Sequence, residues 1–230
     1  MYRINYLEEI MIKQLLANFV LCFCVVFVLA QSQSVRAQNA TTTIGPEALW
    51  QPGMQGLQDI RDKCGSAPDF GKCFAAQMRE QGASPAAVAF TNLTGNTGIM
   101  RDFRDTGRVD VAYVYYPFRA NENQGALLVN GSPRAIDVDD TSLLPQNEPA
   151  KNRRYAELVK KYPNVAVFPG ERSGTDYPVA EQLPGGGQRF VVSYRLLNGC
   201  HACEQVGTVN YAFDFDTTGR FLGAKFQTID

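Results

Sequence analysis

The four residues Cys200, His201, Ala202 and Cys203 are the part of this sequence most suited to chemistry. Two thiols separated by two residues can close a small disulfide ring or cycle between reduced and oxidised states. His201 is the only histidine of the 230-residue chain, and its imidazole can donate, accept or carry a proton near neutral pH. A disulfide oxidoreductase site and a covalently attached haem are therefore the first chemistries to consider.

The neighbours of this motif disfavour both chemistries. A redox-active Cys-x-x-Cys lies at the N-terminus of a helix, where the helix dipole lowers the pKa of the first thiol. Here a strand-like segment precedes Cys200, and the residues after Cys203 lead directly into a second one, which predicts a loop between two strands. Haem attachment requires a histidine directly after the second cysteine, where this chain has Glu204.

The residues alone leave several interpretations of this loop open. Cys200 and Cys203 could fasten a β-hairpin in which His201 is an exposed bystander, as in a structural envelope protein without enzymatic activity. They could instead cycle as a periplasmic thiol–disulfide redox protein. In our preferred hypothesis the loop is a rigid recognition element whose binding residues are Cys200, His201 and Cys203. A closed ring loses its ordering entropy before the partner arrives, which lowers the cost of binding.

The closing part of the chain has a distinctive order of elements. The stretch FVVSYRLLNGCHACEQVGTVNYAFDFDTTGRFLGAKF, within residues 188–226, has the order strand, cysteine-bounded loop with a histidine, strand, Asp-Thr-Thr-Gly turn and strand. This pattern resembles the periplasmic inhibitors of vertebrate lysozyme. In that family the loop enters the lysozyme cleft, and its histidine contacts the catalytic carboxylates. The resemblance implies that His201 inserts into an enzyme and that Cys200 and Cys203 hold the loop. Two residues separate these cysteines, fewer than in the family's loop.

Cys64 and Cys73 form a second close pair, far from the first in the sequence. Of the six cysteines, Cys22 and Cys24 lie in an N-terminal segment that is predicted to be cleaved off. The remaining four allow three pairings, and Cys64–Cys73 with Cys200–Cys203 is the one that needs no long-range contact. A single four-cysteine zinc site is the alternative, although the spacing of its first two ligands would be wide. We therefore predict two local disulfides, with no metal and no cofactor.

The N-terminus predicts export. Leu15 to Ala30 is an uncharged apolar run, preceded by a basic residue and followed by small residues up to Ala37, which is the layout of a signal peptide over residues 1–37. Cleavage after Ala30, translation from Met11 and an uncleaved anchor are the alternatives. We expect a periplasmic or secreted protein, because disulfides persist in such compartments. No transmembrane segment is predicted after signal removal.

The net charge and the enzyme motifs that the sequence lacks indicate which class of partner to expect. The formal net charge is −1 at pH 7, without the basic excess that is typical of nucleic-acid-binding proteins. No nucleophile elbow, phosphate-binding glycine loop or zinc-protease helix occurs, so we expect a protein that is not an enzyme and whose partner is another protein. Asp137, Asp139 and Glu148 match part of a calcium-loop spacing, but Ser142 stands where that loop needs glycine, so we expect no calcium site.

Helix signals dominate the first part of the mature chain. A short helix is predicted up to Cys64, and Asp69 is a suitable N-cap for a second helix with apolar residues on one face. Ser84 and Pro85 are typical of the start of a third helix. A last helix is predicted over Ile99 to Asp105.

Strand signals follow. Val109, Val111, Tyr113 and Tyr115 alternate with period two, and Asn130-Gly131 predicts a hairpin with a type I′ turn. Further along we predict a helix over residues 150–161, a short strand over 164–168 and a loop over 173–187. Three closing strands are predicted over residues 190–198, 208–215 and 220–227.

Helices followed by a mostly antiparallel sheet predict the α+β class. The chain is long enough to bury a core in one domain. We therefore predict a single exported α+β domain over residues 38–230, with disulfide-stapled helices in about residues 46–106 and the sheet in about residues 107–230.

Overall fold

A computed structural model describes residues 43–170 and 177–230 of the chain. The predicted signal peptide, with Cys22 and Cys24, lies outside the described residues, as does part of the predicted loop 173–187. Ile44–Asp230 belongs to one structural unit.

The fold class is α+β, as the sequence predicts. The helices are α1 (Met54–Cys64), α2 (Phe70–Glu80), α3 (Pro85–Thr91) and α4 (Arg153–Lys161). The strands are β1 (Ile99–Arg104), β2 (Asp110–Tyr115), β3 (Gln124–Val129), β4 (Ala135–Asp137), β5 (Val165–Pro169), β6 (Val179–Gln182), β7 (Gln188–Asn198), β8 (Gln205–Phe215) and β9 (Phe221–Ile229). One sheet has the order β1-β2-β3-β4, and the other has the order β5-β7-β8-β9, with β6 also paired to β7. All of these strand pairs are antiparallel.

Helices α2 and α3 begin where their capping residues predict. The Asp69 carboxylate accepts a hydrogen bond from the backbone N–H of Lys72 at 3.0 Å, and the Ser84 hydroxyl accepts one from Ala87 at 3.0 Å. Each cap satisfies a backbone donor that has no partner within its own helix. The Cys64–Cys73 disulfide then ties the end of α1 to the first turns of α2.

The predicted helix over Ile99 to Asp105 is wrong, because this segment is strand β1. A segment this short gains too few internal hydrogen bonds to hold a helix alone. As a strand it pairs with β2 and buries both Ile99 and Met100, one among the helices and the other against the sheet. Tertiary pairing thus overrides local propensity, and the sheet region starts earlier than predicted.

The turn between β3 and β4 differs from the predicted one. β3 and β4 form the predicted hairpin, but Val129 pairs with Ala135, so the turn is longer than a two-residue type I′ turn. Of the Asn130-Gly131 pair, Asn130 alone has a positive φ, at 68°. Ser132 in this turn hydrogen-bonds through its N–H to Gly219 and through its carbonyl to Phe221, and these contacts favour the longer turn.

Strand β6 also lies in a segment predicted as loop. All four of its residues are exposed, so the segment lacks the apolar alternation that marks a half-buried strand. Its position at the sheet edge is set by its pairing with β7.

The largest hydrophobic core lies between the two sheets. Val109, Val111 and Leu128 extend into it from the first sheet. The second sheet contributes the larger side chains, namely Phe190, Val192, Tyr194, Leu196, Val209, Tyr211, Phe213 and Phe215. The predicted alternation of β2 holds for Val109, Val111 and Tyr113, whereas Tyr115 packs among the helices instead. The four apolar residues of β8 that the pattern places on one face all point into this core.

The opposite face of the first sheet is also buried. Ala112, Val114 and Leu127 pack there with Phe90 of α3. A further cluster around Phe74 and Met78 fills the space among the helices. The molecule thus has three layers, with the four-stranded sheet in the middle and buried on both faces.

Gln188 links the two sheets by hydrogen bonds. Its side-chain oxygen accepts from the backbone N–H of Val109 at 2.7 Å, and its amide nitrogen donates to the carbonyls of Thr106 and Val109 at 2.8 and 3.1 Å. The residue is only 4% exposed, so water cannot replace these bonds.

We expect Gln188→Ala to lower the free energy of unfolding by about 2–3 kcal/mol, because it leaves the buried Val109 N–H without an acceptor. Urea denaturation measures this loss. Gln182→Ala, on exposed β6, is the matched control and should change stability by less than about 0.5 kcal/mol. Equal stabilities of the two variants would contradict this role of Gln188.

Candidate functional site

The loop between β7 and β8 has the predicted strand–loop–strand form. Cys200 and Cys203 are disulfide-bonded with their Cα atoms 5.0 Å apart, and the Cys203 N–H donates to the Cys200 carbonyl at 3.0 Å. Gly199 enters the loop with a φ of 95°, a conformation that side-chain-bearing residues rarely adopt. The loop lies at the tip of a long hairpin of two eleven-residue strands.

His201 has two partners from distant parts of the chain. Its Nε2 atom lies 2.9 Å from Oε1 of Glu122, in the loop between β2 and β3. Its ring packs perpendicular to the Phe168 ring, near the end of β5, with centroids 5.9 Å apart. The His201 side chain is 37% exposed and that of Glu122 is 35% exposed. His201 is therefore a partly exposed residue whose ring is oriented by two side chains from distant parts of the chain.

The loop that carries Glu122 is itself ordered by the backbone. The Tyr116 N–H donates to the Asn123 carbonyl at 2.7 Å, and the Arg119 N–H donates to the Tyr116 carbonyl at 3.2 Å. Glu122 has a φ of 50°, in the left-handed region that costs a non-glycine residue about 1–2 kcal/mol. Such conformations persist where the surroundings fix them and are often found at functional sites.

Tyr116 anchors this loop to the sheet. Burial raises the pKa of Tyr116 to about 12, and the carboxylates of Asp137 and Asp139 add to this shift. The phenol therefore stays neutral at physiological pH. The Arg119 guanidinium lies over the Tyr116 ring, 3.4 Å from its centroid.

The arrangement is suited to recognition by hydrogen bonding. The Glu122 carboxylate beside Nε2 holds the imidazole ring in one orientation. Nδ1 of His201 makes no hydrogen bond within residues 43–170 and 177–230, so this second nitrogen is available to a partner. Neither cysteine of the loop offers a thiolate, because both are in the disulfide.

The Asp-Thr-Thr-Gly turn lies at the other end of β8, away from this loop. Asp216 accepts from the backbone N–H and hydroxyl of Thr218 and from the backbone N–H of Arg220. These hydrogen bonds lower the pKa of Asp216 to about 2. The turn thus connects β8 to β9, and the structure does not bring it together with His201.

The structure also bears on the zinc and calcium sites considered from the sequence. A four-cysteine zinc site is wrong, since the cysteines form two separate disulfides. In the apparent calcium spacing, Asp137 accepts from the backbone N–H of Asp139, and Asp140 caps a short 3₁₀ helix over Thr141–Leu143. Across the described residues, no cluster of three or more histidine, cysteine or acidic side chains is suited to a metal.

No helix within residues 43–170 and 177–230 is long and apolar enough to span a membrane.

Glu122 and Phe168 are the residues that sequence reasoning missed. Glu122 lies 79 positions from its partner His201, and no local spacing connects the two. The sequence offers one weak signal, which is that Glu122 stands in the polar segment Arg119 to Gln124 between two predicted strands.

Searches of protein-family models, curated proteins and solved structures found no match to this chain.

We expect the Cys200–Cys203 disulfide to have a reduction potential below about −300 mV, which is typical of structural disulfides. The reason is that a strand follows the loop, so no helix N-terminus stabilises a thiolate there. Equilibration with dithiothreitol, followed by alkylation and mass spectrometry of the loop peptide, measures the potential. Cys64–Cys73 is an internal comparison in the same sample. A potential above about −270 mV, in the range of thiol–disulfide oxidoreductases, would contradict a structural disulfide and favour the redox alternative.

Proposed function

We propose that this chain is an exported, non-catalytic binding protein that recognises another protein through the loop closed by Cys200 and Cys203. The observation that carries this proposal is the fixed orientation of His201, which contacts Glu122 at 2.9 Å and packs against Phe168 while remaining partly exposed. A side chain held this way on a crosslinked loop is suited to insertion into a partner.

Preorganisation is the energetic basis of the proposal. Ordering a free side chain on binding costs about 0.5–1.5 kcal/mol, and ordering a loop adds to that cost. Here the disulfide and the His201–Glu122 contact restrict the loop and the imidazole before any partner binds. The same restriction favours specificity, because the loop presents one hydrogen-bonding geometry.

The partner that we propose is a lysozyme-type enzyme with catalytic carboxylates in a cleft. The resemblance of residues 188–226 to the periplasmic lysozyme inhibitors supports this choice, and β7, the cysteine loop, β8, the turn and β9 occur in the expected order. A protonated imidazole whose Nε2 faces Glu122 can donate from Nδ1 to a partner carboxylate.

The export part of the proposal rests on the apolar N-terminal run and on the disulfides. Two disulfides are typical of proteins that fold outside a reducing cytoplasm.

We expect mass spectrometry of the exported protein to show Gln38 as its first residue and four oxidised cysteines. A cell-associated protein that retains the Leu15 to Ala30 run would contradict cleavage.

We expect the exported protein to inhibit a c-type lysozyme and His201→Ala to weaken that inhibition at least tenfold. The loss follows from removing a charge-assisted hydrogen bond, which contributes about 1.5–3 kcal/mol. Inhibition of cell-wall lysis at a series of protein concentrations measures the effect. Glu204→Gln, an exposed change within the same loop region, is the control and should inhibit like the wild type.

The two disulfides provide a matched pair of variants. Replacing Cys200 and Cys203 by serine should weaken inhibition, since the loop must then be ordered on binding. Replacing Cys64 and Cys73 by serine should lower stability by about 2–3 kcal/mol and leave inhibition unchanged while the protein remains folded. Absence of inhibition by the wild-type protein would rule out lysozyme as the partner, and equal inhibition by both double variants would contradict the role of the loop.

A further inference from the structure

A cavity of about 440 Å³ lies beside strands β1 and β2, apart from the Cys200–Cys203 loop. Its walls include Arg101, Tyr113, Tyr115, Gln51 and Gln124, and none of its lining residues is acidic. The volume lies within the range of sites that hold small molecules. The combination of one cationic side chain, two aromatic rings and two amides is a selective chemical environment.

A β-bulge places Arg101 at this cavity. Met100 pairs with Val114 and Asp102 pairs with Tyr113, so Arg101 is the extra residue of the strand. Bulges redirect side chains and occur often beside functional sites. The side chain of Gln51 supports this one, because its amide nitrogen donates to the Arg101 carbonyl at 3.1 Å.

The Nε donor of Arg101 has no acceptor among the described residues. The Arg101 guanidinium lies over the Tyr115 ring, 4.6 Å from the centroid. Its Nε atom is buried and makes no hydrogen bond within the described part of the chain. Buried donors in native proteins are almost always satisfied, so the polar contacts of Arg101 are incomplete at a residue that lines the cavity.

We propose that this cavity binds a small organic carboxylate, with Arg101 holding the carboxylate group and the two tyrosine rings contacting the body of the molecule. A planar guanidinium matches a carboxylate by two parallel hydrogen bonds. Tyr113 and Tyr115 provide flat apolar surface that an inorganic anion would leave unused. Arg104, whose guanidinium lies 6.0 Å from the Tyr113 ring centroid, adds positive charge nearby.

This site is independent of the proposed lysozyme recognition. His201 does not line the cavity, and the carboxylate proposal requires neither the disulfide loop nor a protein partner. The two proposals can therefore fail separately.

Calorimetric titration of the full exported protein with three carboxylates tests the site. The probes are benzoate, phenylacetate and hexanoate, each compared with its neutral amide and with inorganic phosphate. We expect saturable binding of at least one carboxylate, at least tenfold tighter than its amide and tighter than phosphate. If none of the three binds, if amide and acid bind equally, or if phosphate binds best, the proposal is overturned.

Variants locate the binding to the cavity. Arg101→Gln should weaken carboxylate binding at least tenfold, whereas Arg153→Gln, at an arginine on α4 that is 93% exposed, should leave it unchanged. Gln124→Glu places a negative charge at the exposed start of β3 and should also weaken binding without disturbing the core, which covers the case in which Arg101→Gln fails to fold. His201→Ala should bind like the wild type. Wild-type affinity in a folded Arg101→Gln variant would place the carboxylate elsewhere and overturn the proposal. If Arg101→Gln does not fold, wild-type affinity in Gln124→Glu overturns it.

Discussion

Burial of apolar side chains between the two sheets is the interaction on which the rest of this structure depends. Tyr194, Phe213 and Leu128 are among the fully buried residues of this layer, and each such side chain contributes about 1.5–3 kcal/mol relative to exposure. Stacking the sheets brings the β2–β3 loop beside the β7–β8 loop. The contact between Glu122 and His201 is a consequence of that stacking, since nothing in the local sequence of either loop requires it.

Sequence patterns were sufficient wherever a local rule decides the structure. Helix caps at Asp69 and Ser84, the alternating residues of β8 and the two local disulfides follow such rules, and the structure confirms them. They failed for β1 and β6, where pairing with a neighbouring strand determines the conformation. The loop of the candidate site was predictable, but its partners Glu122 and Phe168 were not, because tertiary contacts over long sequence separations bring them to His201.

The two proposed sites use the same physical principle in different ways. At the Cys200–Cys203 loop, a disulfide and the contact with Glu122 orient a side chain that remains partly exposed. At the cavity, a bulge and an aromatic ring orient Arg101, whose buried Nε has no acceptor among the described residues. In both cases the polar group is ordered before binding, so a ligand gains the interaction at a lower entropic cost.

The most direct test of the central claim is an NMR titration of His201 with a c-type lysozyme. Because the chain contains a single histidine, protein without an affinity tag gives one set of imidazole signals. Our account predicts that these signals shift or broaden as lysozyme is added and that the shift saturates at one equivalent. Imidazole signals that stay unchanged while other parts of the protein respond, or no response at all, would contradict recognition through this loop.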